Sequence, residues 1–319
     1  MTARTLDTTE EGLAKAAAIL TAGGLVAFPT ETVYGLGADA TNDRAVARIF
    51  AAKGRPHFNP LICHVPDVEA AAEIATLADK ASALAESFWP GPLTLVLPRR
   101  GDGGLSRLVS AGLPTVAIRV PAAATAVDLL RRFGRPVAAP SANSSGRLSP
   151  TTAQHVLADL GAAIDAVVDG GACDIGVEST IIGFADGRPT LLRPGGLSVE
   201  AIEAVIGTVA QTEGSGDPGS VVAPGMLASH YAPRLPLRTN AAQARGGEVL
   251  LGFGRAAPPG PNLSKTGDLI EAAASLFALL HELDQGNATG IAVMTIPDHG
   301  LGRAINDRLK RAAAPRPAC

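Results

Sequence analysis

Leu25-Val26-Ala27-Phe28-Pro29-Thr30-Glu31-Thr32-Val33-Tyr34-Gly35-Leu36-Gly37 carries the reading of this chain. Four apolar residues in a row read as a short buried strand, and Pro29 stops it because proline has no N–H to give to a sheet. The polar run that follows sets hydroxyls and a carboxylate beside glycine turns, directly off the strand end. Upstream, residues 9–22 alternate apolar and polar side chains at helical spacing and end at Gly23-Gly24. Downstream, residues 44–52 read as a helix with Ala45, Val46, Ile49 and Phe50 on one face, and residues 68–88 as one or two alanine-rich helices. Strands are expected at 61–65, 93–97, 115–120, 137–139, 163–168, 179–183 and 190–192. Helices interleaved with strands predict an α/β fold, and several strands lie close enough in sequence to predict a mixed, twisted sheet.

The composition changes near residue 207. Residues 212–220 lack apolar periodicity and read as an exposed linker, but the following 224–233 carry Met226, His230 and Tyr231 between prolines, unlike a plain spacer. A smaller α/β unit follows, with strands at 248–253 and 291–296 and helices at 268–284 and 301–313. The predicted organisation is therefore a catalytic domain over 1–207, a linker or lid over 208–236 and a small C-terminal domain over 237–319, with no internal repeat.

Bulk properties narrow the class of protein. The 319 residues are 46% hydrophobic and 18% charged, which suits a packed globular chain. Aromatics make up 3%, so Ala, Val, Leu and Ile must build the core. A net charge of −3 argues against a protein dedicated to coating nucleic acid. The three cysteines, Cys63, Cys173 and Cys319, are too few and too scattered for a disulfide framework or a zinc site, and read as buried thiols. No signal-peptide core and no long apolar run are present, so a cytoplasmic location without a membrane span is expected.

The motifs that carry chemistry are short and polar. Lys53-Gly54-Arg55-Pro56 follows a helix and offers a point charge beside a planar fork, a pair suited to a triphosphate; a solvated basic turn is the alternative. Asn59 adds an amide close by. Ser141-Ala142-Asn143-Ser144-Ser145-Gly146 follows a strand and suits phosphate binding through hydroxyls and backbone N–H groups, although it is not a P-loop. Ser149 precedes Pro150-Thr151 at a helix start, where it could simply cap. Arg119 sits in an apolar strand, costly unless paired, so either a structural ion pair or a clamp for a substrate carboxylate is implied. His64 has the same two readings. Glu178-Ser179-Thr180 places hydroxyls at a strand head, and Arg193-Pro194-Gly195 puts a cation at a strand end, where open α/β sheets bind ligands. With no nucleophile–base pair and no metal-ligand cluster, the chemistry reads as positioning and charge neutralisation, as in phosphoryl and nucleotidyl transfer.

Taken together, these segments, with Trp89-Pro90-Gly91-Pro92-Leu93-Thr94, His230-Tyr231-Ala232-Pro233 and the segment from Gly300 to Arg308, closely resemble the two-domain threonylcarbamoyl-AMP synthases of the YrdC-like family. The resemblance spans the whole chain. It implies a YrdC-like mixed twisted sheet with helices, plus a smaller Rossmann-like α/β domain. It also implies formation of threonylcarbamoyl-AMP and pyrophosphate from L-threonine, bicarbonate and ATP, for modification of tRNA. Carried onto matching positions, Thr32, His64, Arg119, Ala139 and Ser179 would hold L-threonine. Lys53, Arg55, Asn59, Thr115, Ser141, Asn143, Ser149, Arg193 and Tyr231 would hold ATP, with Tyr231 folding over the nucleotide. Mg2+ would ride mainly on the ATP phosphates, without protein ligands. The product would pass to a tRNA threonylcarbamoyltransferase complex; direct tRNA binding has little support. A carbamoyl-transfer reading and an RNA-binding reading stand as alternatives, disfavoured by the small metal-free C-terminal unit and by the net charge.

Overall fold

The computed structural model describes residues 2–101, 104–185, 187–211, 224 and 229–315. The larger lobe contains β1 (Arg4–Leu6), α1 (Glu10–Thr21), β2 (Val26–Phe28), β3 (Gly35–Asp39), α2 (Asp43–Lys53), β4 (Ile62–His64), α3 (Val68–Ile74), α4 (Asp79–Phe88) and β5 (Leu93–Pro98). It continues through β6 (Thr115–Arg119), α5 (Ala124–Phe133), β7 (Val137–Ala138), α6 (Ala153–Leu160), β8 (Ala166–Val168), β9 (Thr180–Ala185), β10 (Arg188–Arg193), α7 (Val199–Ile206) and β11 (Ala210–Gln211). The strands form one sheet in the order β1-β8-β2-β3-β7-β4-β6-β5-β9-β10-β11. Parallel pairs such as β4 with β6 and β5 with β9 alternate with antiparallel ones such as β2 with β3 and β5 with β6, so the sheet is mixed, as expected.

The order sets β4 between β6, parallel to it, and β7, antiparallel to it, so His64 and Arg119 end at one edge while β7 brings Ala139 back beside the start of β4. His64 is paired with Arg119 in register, which sets their side chains on the same face of the sheet. Helix α2 shows how local sequence aims a charge inward. Asn42 caps it, accepting from the N–H groups of Arg44 and Ala45 at 3.0 and 3.2 Å, and Gly54 ends it in the left-handed region at φ 59°. Its buried stripe is Ala45, Val46, Ile49, Phe50 and Lys53, so the same periodicity that docks the helix carries Lys53 indoors.

The smaller lobe has a parallel three-stranded sheet, β12 (Leu237–Arg238), β14 (Gly290–Val293) and β13 (Glu248–Leu251) in that order, with α8 (Leu269–Gln285) and α9 (Gly302–Ala313). Its core is not self-contained: Val33, Leu148 and Val177 from the larger lobe pack into the cluster that holds Leu251, Phe277 and Ile305. The lobes are thereby docked through apolar surface next to the polar loops. Gly176 makes that approach possible. At φ 74° it is in the left-handed region, and a Cβ there would stand 2.5 Å from the Ala273 carbonyl oxygen and 2.6 Å from Ala274 Cα in α8. Gly176→Ala is expected to lose about 1–3 kcal/mol of stability from overpacking, plus about 1–2 kcal/mol from the backbone conformation, read by urea denaturation. An unchanged midpoint would show that the lobes are not held at this distance.

Residues 68–88 form two helices, within the one or two expected there, broken where Ala75 bridges to Arg99. Several other elements depart from expectation. Helices α5 and α7 and the short strands β1, β11 and β12 fall outside the predicted elements, α6 follows the helix start read at 149–151 but begins at Ala153, and β3 begins inside the polar motif at Gly35. The predicted linker stretch 212–220, with Gly225 and Met226, lies outside the described residues; so does Cys319, whereas Cys63 and Cys173 are buried free thiols. Among the described residues, no helix is long and apolar enough to cross a membrane.

Candidate active site

Residues of β4, the carboxyl ends of β6 and β10, the segment after β7 and the turn before β9 line a cavity of about 510 Å3, solvent at its mouth included. Nine of the residues singled out in sequence line it: Thr32, Arg55, His64, Arg119, Ala139, Ser141, Ser179, Arg193 and Tyr231. Segments far apart in the chain therefore converge on one space.

One side is organised by Arg119, which is 3% exposed. Its Nη2 donates to Glu31 Oε1 at 2.6 Å, Nη1 to the Thr32 hydroxyl at 2.8 Å and Nε to the Gly91 carbonyl at 3.3 Å. Glu31 Oε2 in turn accepts from the N–H groups of Ala122 and Ala123 at 3.0 and 3.3 Å. Burial is the largest single influence and would raise the Glu31 carboxyl; the Arg119 guanidinium and the backbone N–H groups together outweigh it and hold the group below the usual glutamate value. Beside it, burial and then Arg119 push His64 down to about 3, so its imidazole is neutral at physiological pH. Its Nδ1 is buried with no hydrogen-bond partner among the described residues. The sequence left Arg119 open between structural pairing and ligand binding; the paired state is what the fold contains, with a face still turned to the cavity.

The other side is cationic without matching carboxylates. Arg55 donates only to the backbone carbonyls of Asn59 and Pro60, at 3.2 and 2.8 Å, and Arg193 to Ser179 and Pro224. Neither forms an ion pair with a carboxylate among the described residues. Burial, before any neighbour, lowers Arg55 to about 10 and lowers Arg193 as well, the signature of charges waiting for an anion. A solvated basic turn is excluded here, because Lys53 and Arg55 are 3% and 7% exposed.

Five of the expected residues do not line the cavity. Lys53 lies behind the 141–143 loop and donates to the carbonyls of Ser141, at 2.6 Å, and Asn143, so it fixes that loop. Asn143 points its amide nitrogen at the Ser144 and Arg147 carbonyls. Asn59 is fully buried, with neither side-chain polar atom partnered among the described residues. Thr115 opens β6, opposite Pro98. Ser149 does not cap a helix: Thr152 caps α6, accepting from the His155 N–H at 3.3 Å, and the Ser149 hydroxyl donates to Glu178 Oε1. The loop after Ser141 also differs from the expected cradle of free N–H groups. Those of Ala142, Ser144 and Ser145 already serve Tyr34, Asp159 and Lys53, so the segment is a fixed wall.

One part of the lining, His230 and Tyr231, comes from the segment between the lobes. Tyr231 is 1% exposed, held at φ 61°, with its ring 5.8 Å from Phe277 and 4.1 Å from His230. Its hydroxyl has no partner among the described residues. A non-glycine residue in the left-handed region is costly and is tolerated where surrounding packing fixes it, commonly at functional sites.

The sequence reading assigned no role to Glu31, Glu178, His230 or Arg308. A signal existed for two of them. An arginine buried in an apolar strand calls for a carboxylate, and α9 places Arg308 within the stripe Ala304, Ile305, Leu309, Ala312. Arg308 donates Nε to Glu178 Oε2 at 2.9 Å across the two lobes.

A mixed α/β sheet carrying a cavity lined by buried arginines, docked to a smaller α/β lobe, defines a two-lobed protein with a cationic site. The chain belongs to the Sua5/YciO/YrdC family, whose model, described as telomere recombination, matches residues 18–195. A second model, the C-terminal domain of threonylcarbamoyl-AMP synthase, matches residues 197–314. The threonylcarbamoyl-AMP synthase of Bacillus subtilis is 44% identical over 98% of this chain and 95% of its own length. That of Pyrococcus abyssi is 41% identical over 94% of each. The crystal structure of P. abyssi Sua5 complexed with L-threonine superposes with a TM-score of 0.89, at 39% identity, covering 98% of both chains.

Proposed function

We propose that this cavity binds L-threonine, bicarbonate and ATP and forms L-threonylcarbamoyl-AMP, pyrophosphate and water. The chain is an L-threonylcarbamoyladenylate synthase, a nucleotidyltransferase of tRNA modification. The observation that carries the assignment of sides is the asymmetry of the cavity: a hydroxyl-flanked arginine at one end, and unpaired buried guanidinium groups at the other.

Threonine sits at the Arg119 end, its carboxylate on the guanidinium and its other polar groups toward Thr32, His64, Ser179 and the Ala139 backbone. The neutral His64 can accept or donate one hydrogen bond there without adding charge. ATP phosphates lie against Arg55, Arg193 and Ser141, with Lys53, Asn59, Thr115, Asn143 and Ser149 supporting that wall. The threonine amine attacks bicarbonate or CO2 to give a carbamate, with loss of water from bicarbonate; the carbamate oxygen then attacks the α-phosphate and pyrophosphate leaves. The residues supply placement and charge stabilisation, and burial strengthens both. Mg2+ enters as part of the ATP, carried on its phosphates. Glu178, in the cavity lining, and Glu31, behind Arg119, are each bound to an arginine, so the donor set does not suit a protein-held ion. The adenylate is consumed by a transferase acting on an adenosine beside the anticodon, and we place the reaction in the cytoplasm with its substrates.

Pyrophosphate release that requires both L-threonine and bicarbonate, together with the mass of threonylcarbamoyl-adenylate, is the expected result; release without threonine would overturn the assignment. Tyr231 excludes water from the hydrolysis-prone adenylate. Tyr231→Ala is expected to keep the fold and to raise the ratio of free AMP to adenylate, measured by chromatography of the products; an unchanged ratio would remove the lid role.

A further inference from the structure

We infer that Arg308, supplied by the smaller lobe, is a positioning residue for ATP in the larger lobe's cavity, an inference that rests on the ATP reading above. Arg308 is 1% exposed and occupies a core position of α9, where a guanidinium is tolerated only if it is well bonded. Its contacts reach the neighbours of three residues assigned to ATP, and Nη1 also donates to Asp307 Oδ2 at 2.9 Å. Nε holds Glu178 Oε2 at 2.9 Å, and the other Glu178 oxygen receives the Ser149 hydroxyl. Nη1 donates to the Pro194 carbonyl at 2.6 Å, one residue from Arg193. The guanidinium carbon lies 5.1 Å from the centre of the Tyr231 ring.

Electrostatics gives the contact a task beyond docking. Glu178 lines the cavity, and a bare carboxylate there would repel a triphosphate. Arg308 pairs with it from behind, so less of the charge of Arg193 is taken up by Glu178, and neither Arg193 nor Arg55 forms an ion pair of its own among the described residues. Docking by itself is provided elsewhere, by the apolar cluster of Val33, Leu148 and Val177 against the smaller lobe and by the peripheral Arg303–Glu200 pair at 3.3 Å. Bidentate geometry is required, since one fork reaches both Glu178 and Pro194; a lysine offers a single point charge.

The test uses the full chain as wild type, Arg308→Met, Arg308→Lys and the double variant Arg308→Met/Glu178→Gln. Threonine-dependent pyrophosphate release gives KM for each substrate, and calorimetric titration with the non-hydrolysable α,β-methylene ATP gives nucleotide binding directly. Arg308→Met is expected to raise the ATP KM and weaken analogue binding at least about tenfold, with the threonine KM within about twofold. Arg308→Lys is expected to fall between. Removing the exposed charge in the double variant is expected to restore analogue binding to within about threefold of wild type. Should Arg308→Met fail to fold, the lysine and double variants carry the same comparison. Both KM values moving together, or no recovery in the double variant, would reduce Arg308 to a structural link and overturn the inference. A wild type that binds the analogue but releases no pyrophosphate with threonine would sink the functional reading and leave this one standing on binding; a wild type that binds no analogue would sink both.

Discussion

Arg55→Ala is expected to nearly abolish threonine-dependent adenylate formation. The side chain is buried, reaches the cavity and has no carboxylate partner among the described residues, so its charge is available to an anion. A charge-assisted hydrogen bond to phosphate contributes about 1.5–3 kcal/mol, so each lost contact costs about ten- to hundredfold in kcat/KM. The same fork also braces the carbonyls of Asn59 and Pro60, so the variant's stability must be measured alongside its kinetics. Arg55→Lys separates the contributions: the charge survives but the two-pronged geometry is lost, and activity is expected to recover only in part. Near-normal pyrophosphate release by a folded Arg55→Ala protein would remove this residue from the phosphate site.

Arg119→Met is expected to have the largest effect on stability. It deletes one half of a buried ion pair and leaves Glu31 charged without a counter-ion, a change that typically costs about 3–5 kcal/mol. The pH dependence gives this prediction its sign. In the wild type Glu31 lies below its unfolded value, so the pair's stabilisation is fully present above that value and is lost as pH falls through the folded one. In the variant burial, the largest influence on Glu31, is opposed only by backbone N–H groups, so Glu31 rises and stability is lost as pH rises. Urea denaturation of both proteins between about pH 4 and 8 should therefore show a gap that widens with pH. Parallel curves would mean that Glu31 is compensated by something other than Arg119. Loss of threonine dependence should accompany the change, since the same guanidinium holds the substrate carboxylate in the proposed reading.

The elements most legible in sequence were those written in local chemistry. Residues 9–22 and 268–284 carry helical spacing and a capping Thr9 or Asp268, and the structure has α1 and α8 there. Helix α5 was missed although its apolar spacing is strong; Ala123 offers no side-chain cap and no start signal. Strand β3 was hidden because Gly35 and Gly37 read as turn residues. They are buried instead beside Phe28 and Ala139, where a Cβ at Gly37 would meet the Phe28 ring at 2.8 Å.

The sequence by itself determined the residue types of the site, because hydroxyls, amides and guanidinium groups recur beside proline and glycine turns at strand ends. Lys53 read as part of the turn after a helix; the structure makes it the last, buried residue of α2. Only the tertiary structure decided which of these groups face the ligand space and which stand behind it. Lys53 and Asn143 serve the loop wall, Ser149 serves Glu178, and Glu31 serves Arg119. The pairing of Arg308 with Glu178 crosses 130 positions of sequence and two lobes. Such pairings follow from sheet order and lobe docking, which depend on the total burial of apolar surface and on satisfying every buried charge, and no local window of sequence encodes that sum.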